Sequence, residues 1–306
     1  MTFQHNIEYF GVLAVAWFAR ILPQTLAINM GKGIGWSAYA MLGIRRSVTH
    51  DNLRQAFPDK PEQWIRRTAR ACYQHFGRVA VELARLPKMD LRWIEKNVEF
   101  RGQDVLDRSQ ARGKGGVVMS GHIGNWEIMG ATVAVLGYPA TYIVTTQRNK
   151  AVERWMDNLR AGRGIQIIKT HDSAIRMIRA LKKNRIIAVL SDQDAHEDGV
   201  FVPFFGRLAS TPRGGAVLQL KTDASPIFCF STGLPGGKWQ ITLEDIPVPG
   251  EGIDMKDAEI QLLTYVTERL EEEIRKRPGQ WLWMHRRWKT PPPNSQETPS
   301  TDNTTT

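Results

Sequence analysis

Cysteine is nearly absent: the 306 residues include two, Cys72 and Cys229. They lie far apart and have no metal-ligand spacing, which excludes a disulfide-stapled fold and a cysteine-zinc site. Buried free thiols in a reducing compartment are the simplest account. Long apolar runs are also missing. Tyr9–Ala19 is stopped by Arg20, and Ile21–Met30 resumes with Pro23 and Gln24 inside it, whereas a clean membrane span needs about 20 apolar residues in succession. No basic n-region with a small-residue cleavage site opens the chain, so no secretory signal is read. Acidic charge is short too. Asp and Glu number 31 against 41 Lys and Arg, a net charge of +10, and such a field favours an anionic partner: nucleic acid, an acidic protein or an anionic membrane surface.

What is present supports a large globular core, since 42% of residues are hydrophobic. Near the N-terminus, Phe10, Leu13, Ala14, Trp17 and Ile21 share one helical face. No Lys or Arg precedes this run, and Lys32, Arg45 and Arg46 follow it. Residues 1–45 are therefore expected to form a helical, membrane-associated anchor, either a short tilted span or an interfacial helix. If it spans, the positive-inside rule keeps the remainder cytoplasmic. An ordinary buried helix fits the same pattern.

Pro61–Leu86 reads as an amphipathic helix. From Gly116 the pattern alternates: strands Val117–Ser120, Thr141–Val144, Ile165–Ile168 and Ile186–Leu190 are separated by helices Trp126–Leu136, Ala151–Leu159 and Ser173–Lys183. Helix Gly214–Lys221, strands Ile227–Thr232 and Trp239–Leu243, and helix Asp257–Lys276 follow. Short apolar strands alternating with helices define an α/β fold with a mostly parallel central sheet flanked by helices. One domain is expected over 46–289, with 290–306, polar and proline-rich, disordered.

Chemistry concentrates at Ser120-Gly121-His122-Ile123-Gly124-Asn125-Trp126-Glu127, where a strand hands over to a helix. Ligands of open α/β sheets bind at the carboxyl ends of strands. His122 suits a general base, and Glu127, five residues on, is the expected carboxylate that orients it and stabilises its charged form. A helix cap with an acid favoured by the dipole is the structural alternative; Gly121 and Gly124, which leave the backbone open around His122, favour chemistry. Asp192 and Asp194 follow another buried strand and are expected near His122, although turn chemistry explains them equally. Arg148 follows a strand and Arg160 ends the next helix, where arginines bind phosphate or carboxylate or partner a helix dipole. Phe201, Phe204 and Phe205 are candidate walls of an acyl channel, with plain core as the alternative. The closing Trp281–Lys289 mixes aromatics with cations, which suits a lipid interface or single-stranded nucleic acid, or an inward-packed segment. No second ligand stands at zinc-like spacing from His122, so no metal is expected.

In this order the blocks resemble the late acyltransferases of lipid A biosynthesis, a family that includes lauroyl and myristoyl transferases and belongs to the lysophospholipid acyltransferase superfamily. The carriers are Ser120–Glu127, Arg148 with Asn149, Asn158–Arg160 with Gly164, Asp192–Asp194, Phe201–Gly206 and Gln280–Arg287, and the resemblance runs from about Tyr9 to Lys289. It implies an O-acyltransferase needing no cofactor. A fatty acyl thioester on acyl carrier protein is the implied co-substrate, and a hydroxyl of an anionic lipid A precursor the acceptor. The implied place is the cytoplasmic side of the bacterial inner membrane. The resemblance also puts Arg160 at head-group or carrier contacts and Asp192 in a positioning role. Another superfamily acyltransferase, acting on a lysophospholipid or other glycolipid, shares the His122–Glu127 pattern. A non-catalytic nucleic-acid-binding protein is disfavoured by cations spread along the whole chain and by the lack of a recognisable binding module.

Overall fold

The chain opens on helices: α1 (Phe3–Ile21), α2 (Gln24–Ala40), α3 (Arg46–Ala56), α4 (Glu62–Ala84) and α5 (Leu91–Asn97). Then come β1 (Val98–Arg101), α6 (Gln103–Ala111), β2 (Gly116–Ser120), α7 (Trp126–Val135), β3 (Ala140–Val144), α8 (Lys150–Ala161), β4 (Gln166–Lys169), α9 (Ala174–Lys182) and β5 (Ile186–Leu190). A hairpin of β6 (Val200–Phe204) and β7 (Arg207–Thr211) leads to α10 (Gly214–Thr222), β8 (Ser225–Gly233), β9 (Trp239–Asp245) and α11 (Met255–Lys276). The structure, a computed structural model, describes residues 3–172 and 174–293. The expected helix start at Ser173 and most of the expected disordered tail lie outside the described residues.

The main sheet runs β1-β9-β8-β2-β5-β3-β4. From β8 to β4 all neighbours are parallel; β9 pairs antiparallel with β8 and parallel with β1. Every residue of β2 is buried, as an apolar strand covered on both faces requires. Val117 and Met119 join one core, with α10, α11 and the hairpin, and Val118 joins the other, with α6 and α7. The alternating strands and helices expected from the sequence are present, with ends shifted by a residue or two. Nothing in the hydropathy pattern marked α3, α5, α6 or β1, which are short and largely polar.

The first two helices pack on α4. Ala16 and Ala19 of α1 meet Ala27 of α2 and Val81 and Ala84 of α4. Small residues face inward, so the large ones face outward: Phe3, Ile7, Phe10, Trp17 and Ile21 form an exposed stripe. The buried-helix alternative for this stripe is thereby corrected, because the inward face is alanine. Among the described residues no helix is long and apolar enough to cross a membrane.

Candidate active site

Register places the central pair. Ser120 of β2 is opposite Leu190 of β5, and the ladder continues through a bond from the Ser191 N–H to the Ser120 carbonyl. Neighbouring strands lie about 4.8 Å apart. His122 and Asp192 lie equally far beyond that paired position, and their side chains meet. His122 Nδ1 is 2.7 Å from Asp192 Oδ1. The other oxygen, Oδ2, accepts the His122 backbone N–H at 2.6 Å and the Trp281 indole N–H at 2.7 Å. Burial alone would raise the Asp192 pKa, but the charge of His122 and these hydrogen bonds outweigh it and hold the carboxyl below its ordinary value. Asp192 thus fixes the tautomer with the proton on Nδ1, leaving Nε2 as the basic nitrogen.

Close approach of Asp192 requires glycine at 121, where a Cβ would stand 2.9 Å from Asp192 Oδ2. Gly124 takes φ +62, and a Cβ there would collide with the Ser231 carbonyl. Asn125 caps α7, accepting the N–H groups of Glu127 and Ile128 at 3.1 Å each, while its amide donates to buried Glu82 at 2.8 Å. Glu82 also receives Arg78 and Trp239. The loop carrying His122 is therefore pinned on its far side by a buried polar network.

Glu127 does not orient His122, which corrects the expected pairing. It sits in the first turn of α7 and faces Arg160 in the last turn of α8. The two form a bidentate pair, with Arg160 Nε and an Nη at 3.0 and 2.6 Å from the carboxylate. Burial works against the Arg160 charge, and Glu127 more than restores it, so the guanidinium pKa lies above its usual value. Arg160 is thus engaged within the protein rather than presented to a head group. The pair continues outward: Asp157 is 3.5 Å from Arg160, and Lys169 is 2.6 Å from both Asp157 and Glu153.

These charges form one wall of a cavity of about 790 Å³ that runs from His122 across the strand ends. Elsewhere the lining is largely apolar, with Phe76, Val79 and Leu83 from α4, Met129 from α7, Met156 from α8 and Met177 from α9. His122, Trp126, Glu127, Arg160, Gln193 and Asp194 all line it. Asp194 is held from behind: its carboxylate accepts from Thr290, and its N–H donates to His285 Nε2.

Arg148 is not among the lining residues. It is exposed, 3.4 Å from Glu8 of α1, and the neighbouring Asn149 also binds Glu8 and the His5 carbonyl; this block docks α1. The three phenylalanines do not line the cavity either. Phe204 and Phe205 belong to the core, and the alternation of strand faces stops at Phe204 because Phe205 and Gly206, both with positive φ, make the hairpin turn. The Phe204 ring packs edge-on against Trp281, so this stretch braces the residue that holds Asp192.

The closing segment packs inward. Trp281, Trp283 and Arg287 are fully buried. The Leu282 N–H donates to the His122 carbonyl, and the Gly124 N–H to the Gln280 carbonyl. Arg287 donates to the Ser210 carbonyl and the Thr211 hydroxyl at the end of β7. The sequence offers Trp281, His285 and Arg287 as part of a block, through its density of aromatics and cations and its family resemblance, and gives none of them an individual role. Cys72 and Cys229 are free and buried, and burial pushes the Cys72 thiol up to about 12.

His75 lies under the loop, its Nε2 2.8 Å from the Gly124 carbonyl. Burial depresses its pKa to about 4 from an ordinary 6.5. A depressed base means that the unfolded chain takes up the proton first as pH falls. The stability tied to neutral His75 is therefore full above pH 6.5 and declines towards pH 4. Urea unfolding at pH 7 and pH 5 is expected to show wild type losing up to about 2 kcal/mol more than His75→Gln. Equal losses would remove His75 as the cause.

The chain is 26% identical over 291 residues to the lipid A biosynthesis palmitoleoyltransferase of Escherichia coli (strain K12), covering 94% of this chain and 92% of that protein. It is 25% identical over 283 residues to the lipid A biosynthesis lauroyltransferase of the same organism, covering 92% and 90%. A phosphatidylinositol mannoside acyltransferase of Mycobacterium tuberculosis (strain CDC 1551 / Oshkosh) is 23% identical over 227 residues, covering 71% and 69%. With residues 1–290 matching the profile of the bacterial lipid A biosynthesis acyltransferases, an α/β sheet of the expected kind and a histidine–carboxylate pair facing an apolar cavity, the chain belongs to the bacterial lipid A biosynthesis acyltransferase family.

Proposed function

We propose that this protein transfers a fatty acyl chain from acyl carrier protein to a hydroxyl of a lipid A precursor. The observation that carries the reading is the His122–Asp192 pair, whose histidine lines a largely apolar cavity. His122 Nε2 takes the proton of the acceptor hydroxyl as its oxygen bonds to the thioester carbonyl carbon. Asp192 stabilises the imidazolium, and the C–S bond then breaks as the departing thiolate receives that proton. No protein nucleophile and no cofactor enters the scheme. The apolar walls suit the acyl chain, each buried methylene contributing about 0.8 kcal/mol. The net charge of +10 suits both an acidic carrier and an anionic glycolipid.

The place of work is the bacterial inner membrane, with the catalytic domain on its cytoplasmic side. The α1 stripe supports this seat, as does the exposed turn after α2, where Met41, Leu42 and Ile44 stand beside Arg45 and Arg46. Apolar side chains entering the head-group region beside cations make an interfacial anchor. Phe10→Glu combined with Trp17→Glu is expected to move the protein from sedimenting vesicles of anionic phospholipid to the supernatant with its unfolding temperature unchanged. Undiminished vesicle binding would place the seat elsewhere.

The test of function incubates the purified protein with C10 to C16 acyl carrier protein donors and a lipid A precursor, followed by mass spectrometry. One added acyl mass, absent with His122→Ala, is expected. Since a phosphatidylinositol mannoside acyltransferase is among the relatives, that glycolipid is the second acceptor arm; acylation of it alone would replace the lipid A reading.

A further inference from the structure

Asp192 holds the His122 side chain by one ring atom, Nδ1. A bond at one atom leaves the plane of the ring free to tilt, because the outer torsion of a histidine is broad. Nε2, on the far side of the ring, then moves most. A second side chain meets the ring itself. The Trp126 indole packs edge to face with it, the centroids 4.8 Å apart and the planes at 76°. Both side chains line the cavity. His122 and Trp126 stand on either side of Asn125, which caps α7, and Trp126 is the first residue of that helix.

Trp126 is in turn held by groups other than His122. Its indole N–H donates to Glu127 Oε1 at 3.1 Å. The same oxygen accepts an Nη of Arg160 at 2.6 Å, and Arg160 Nε donates to the other oxygen. The Trp126 carbonyl accepts the hydroxyl of buried Tyr142. On α4 the Phe76 ring lies 5.9 Å from the indole, the two planes 36° apart. A continuous set of contacts therefore runs from Arg160 through Glu127 and the indole to the imidazole. Glu127 is not bonded to His122; what it orients is the indole. The N–H bond sets the rotation of the indole, and the indole sets the tilt of the imidazole.

We infer that Trp126 is a positioning residue for the base, and that the Glu127–Arg160 pair acts on His122 through it. Asp192 sets which nitrogen carries the proton, and Trp126 sets where the other nitrogen points. The task given to Nε2, removal of the acceptor proton, rests on the acyl-transfer reading above. Aim matters there because a misplacement of about 1 Å can cost on the order of 10²-fold in rate. An indole that served as cavity wall alone would act on the bound acyl chain instead, and so on donor affinity rather than on the chemical step.

Trp126→Phe keeps an aromatic ring and deletes the N–H. It is expected to lower kcat by about tenfold for every carrier-linked donor from C10 to C16, with donor KM unchanged. A changed KM or preferred chain length with kcat intact would make Trp126 a wall residue and overturn the proposal. Replacing the pair, Glu127→Leu with Arg160→Met, is expected to lower kcat by a similar factor. Adding Trp126→Phe to that variant should lower it no further, since both changes interrupt the same contacts. Losses that multiply to about 10²-fold would mean two independent effects and overturn the relay. A second readout needs no turnover. The ring-proton resonances of His122, identified by their absence from His122→Ala, carry the ring-current shift of the indole. They are expected to move when the pair is replaced, although neither replaced residue is bonded to His122. Glu127→Asp, which keeps the charge beside Arg160 and draws the carboxylate back by one methylene, should move them too. Unmoved resonances in these variants overturn the proposal. If wild type acylates no acceptor, the acyl-transfer reading falls, and the resonances alone decide whether Glu127 holds His122 through Trp126.

Discussion

Asp192→Asn is expected to lower kcat for acyl transfer by about 10³–10⁴-fold in a folded protein. The reason lies in three donors shared by two oxygens. Oδ2 accepts both the His122 N–H and the Trp281 indole, and Oδ1 accepts Nδ1–H. Asparagine has one acceptor oxygen. It satisfies more donors by turning that oxygen to the Oδ2 position, which sets its NH₂ against His122 Nδ1. The imidazole then carries its proton on Nε2 and presents a donor where a base is required. The variant thus keeps its packing and loses its tautomer. Turnover with carrier-linked donor and circular dichroism check the two halves of that statement. A folded Asp192→Asn enzyme near wild-type turnover would mean that His122 is not the base or that another group orients it.

Glu127→Ala fails for a different reason. Removing the carboxylate leaves the Arg160 guanidinium, 9% exposed at its side chain, without its bidentate partner. Breaking a buried pair from one side typically costs about 3–5 kcal/mol, whereas replacing both partners by apolar groups is often close to neutral. Chemical unfolding should therefore show Glu127→Ala strongly destabilised, and Glu127→Leu with Arg160→Met regaining most of the loss. The double variant also separates two roles. If it is stable and still transfers acyl groups, Glu127 is a buttress. If it is stable and as inactive as His122→Ala, the pair touches the reaction itself.

The assignment of Glu127 as the partner of His122 was the natural reading of a one-dimensional pattern, and it shows where such patterns stop. Hydropathy alternation located β2 to β5 and their helices, because burial on both faces leaves continuous apolar runs. It also put His122 and Asp192 on the same edge of the sheet. That β5 rather than β3 is the neighbour of β2 depends on a crossover that no local run encodes. Only this neighbour, in this register, brings Asp192 to Nδ1. Phe204 and Phe205 misled for a related reason: an aromatic block looks alike whether it faces a lipid or a tryptophan. The outward stripe of α1 was legible as a face, but not which side of the helix was covered, because the covering contacts are made by alanines with little signal of their own.

The closing strap from Gln280 to Arg287 has a consequence for the order in which the enzyme comes into being. It supplies the bonds to the His122 carbonyl, the Gly124 N–H and the Asp192 carboxylate, and it comes later in the sequence than every strand of the sheet and every helix around it. A ribosome must therefore synthesise through this strap before the contacts that set the base exist. A chain that stops before Gln280 contains His122 and Asp192 but lacks the indole and backbone contacts that set them. Truncation before Gln280 is therefore expected to remove the base's setting, and with it acyl transfer, even though His122 and Asp192 are both retained.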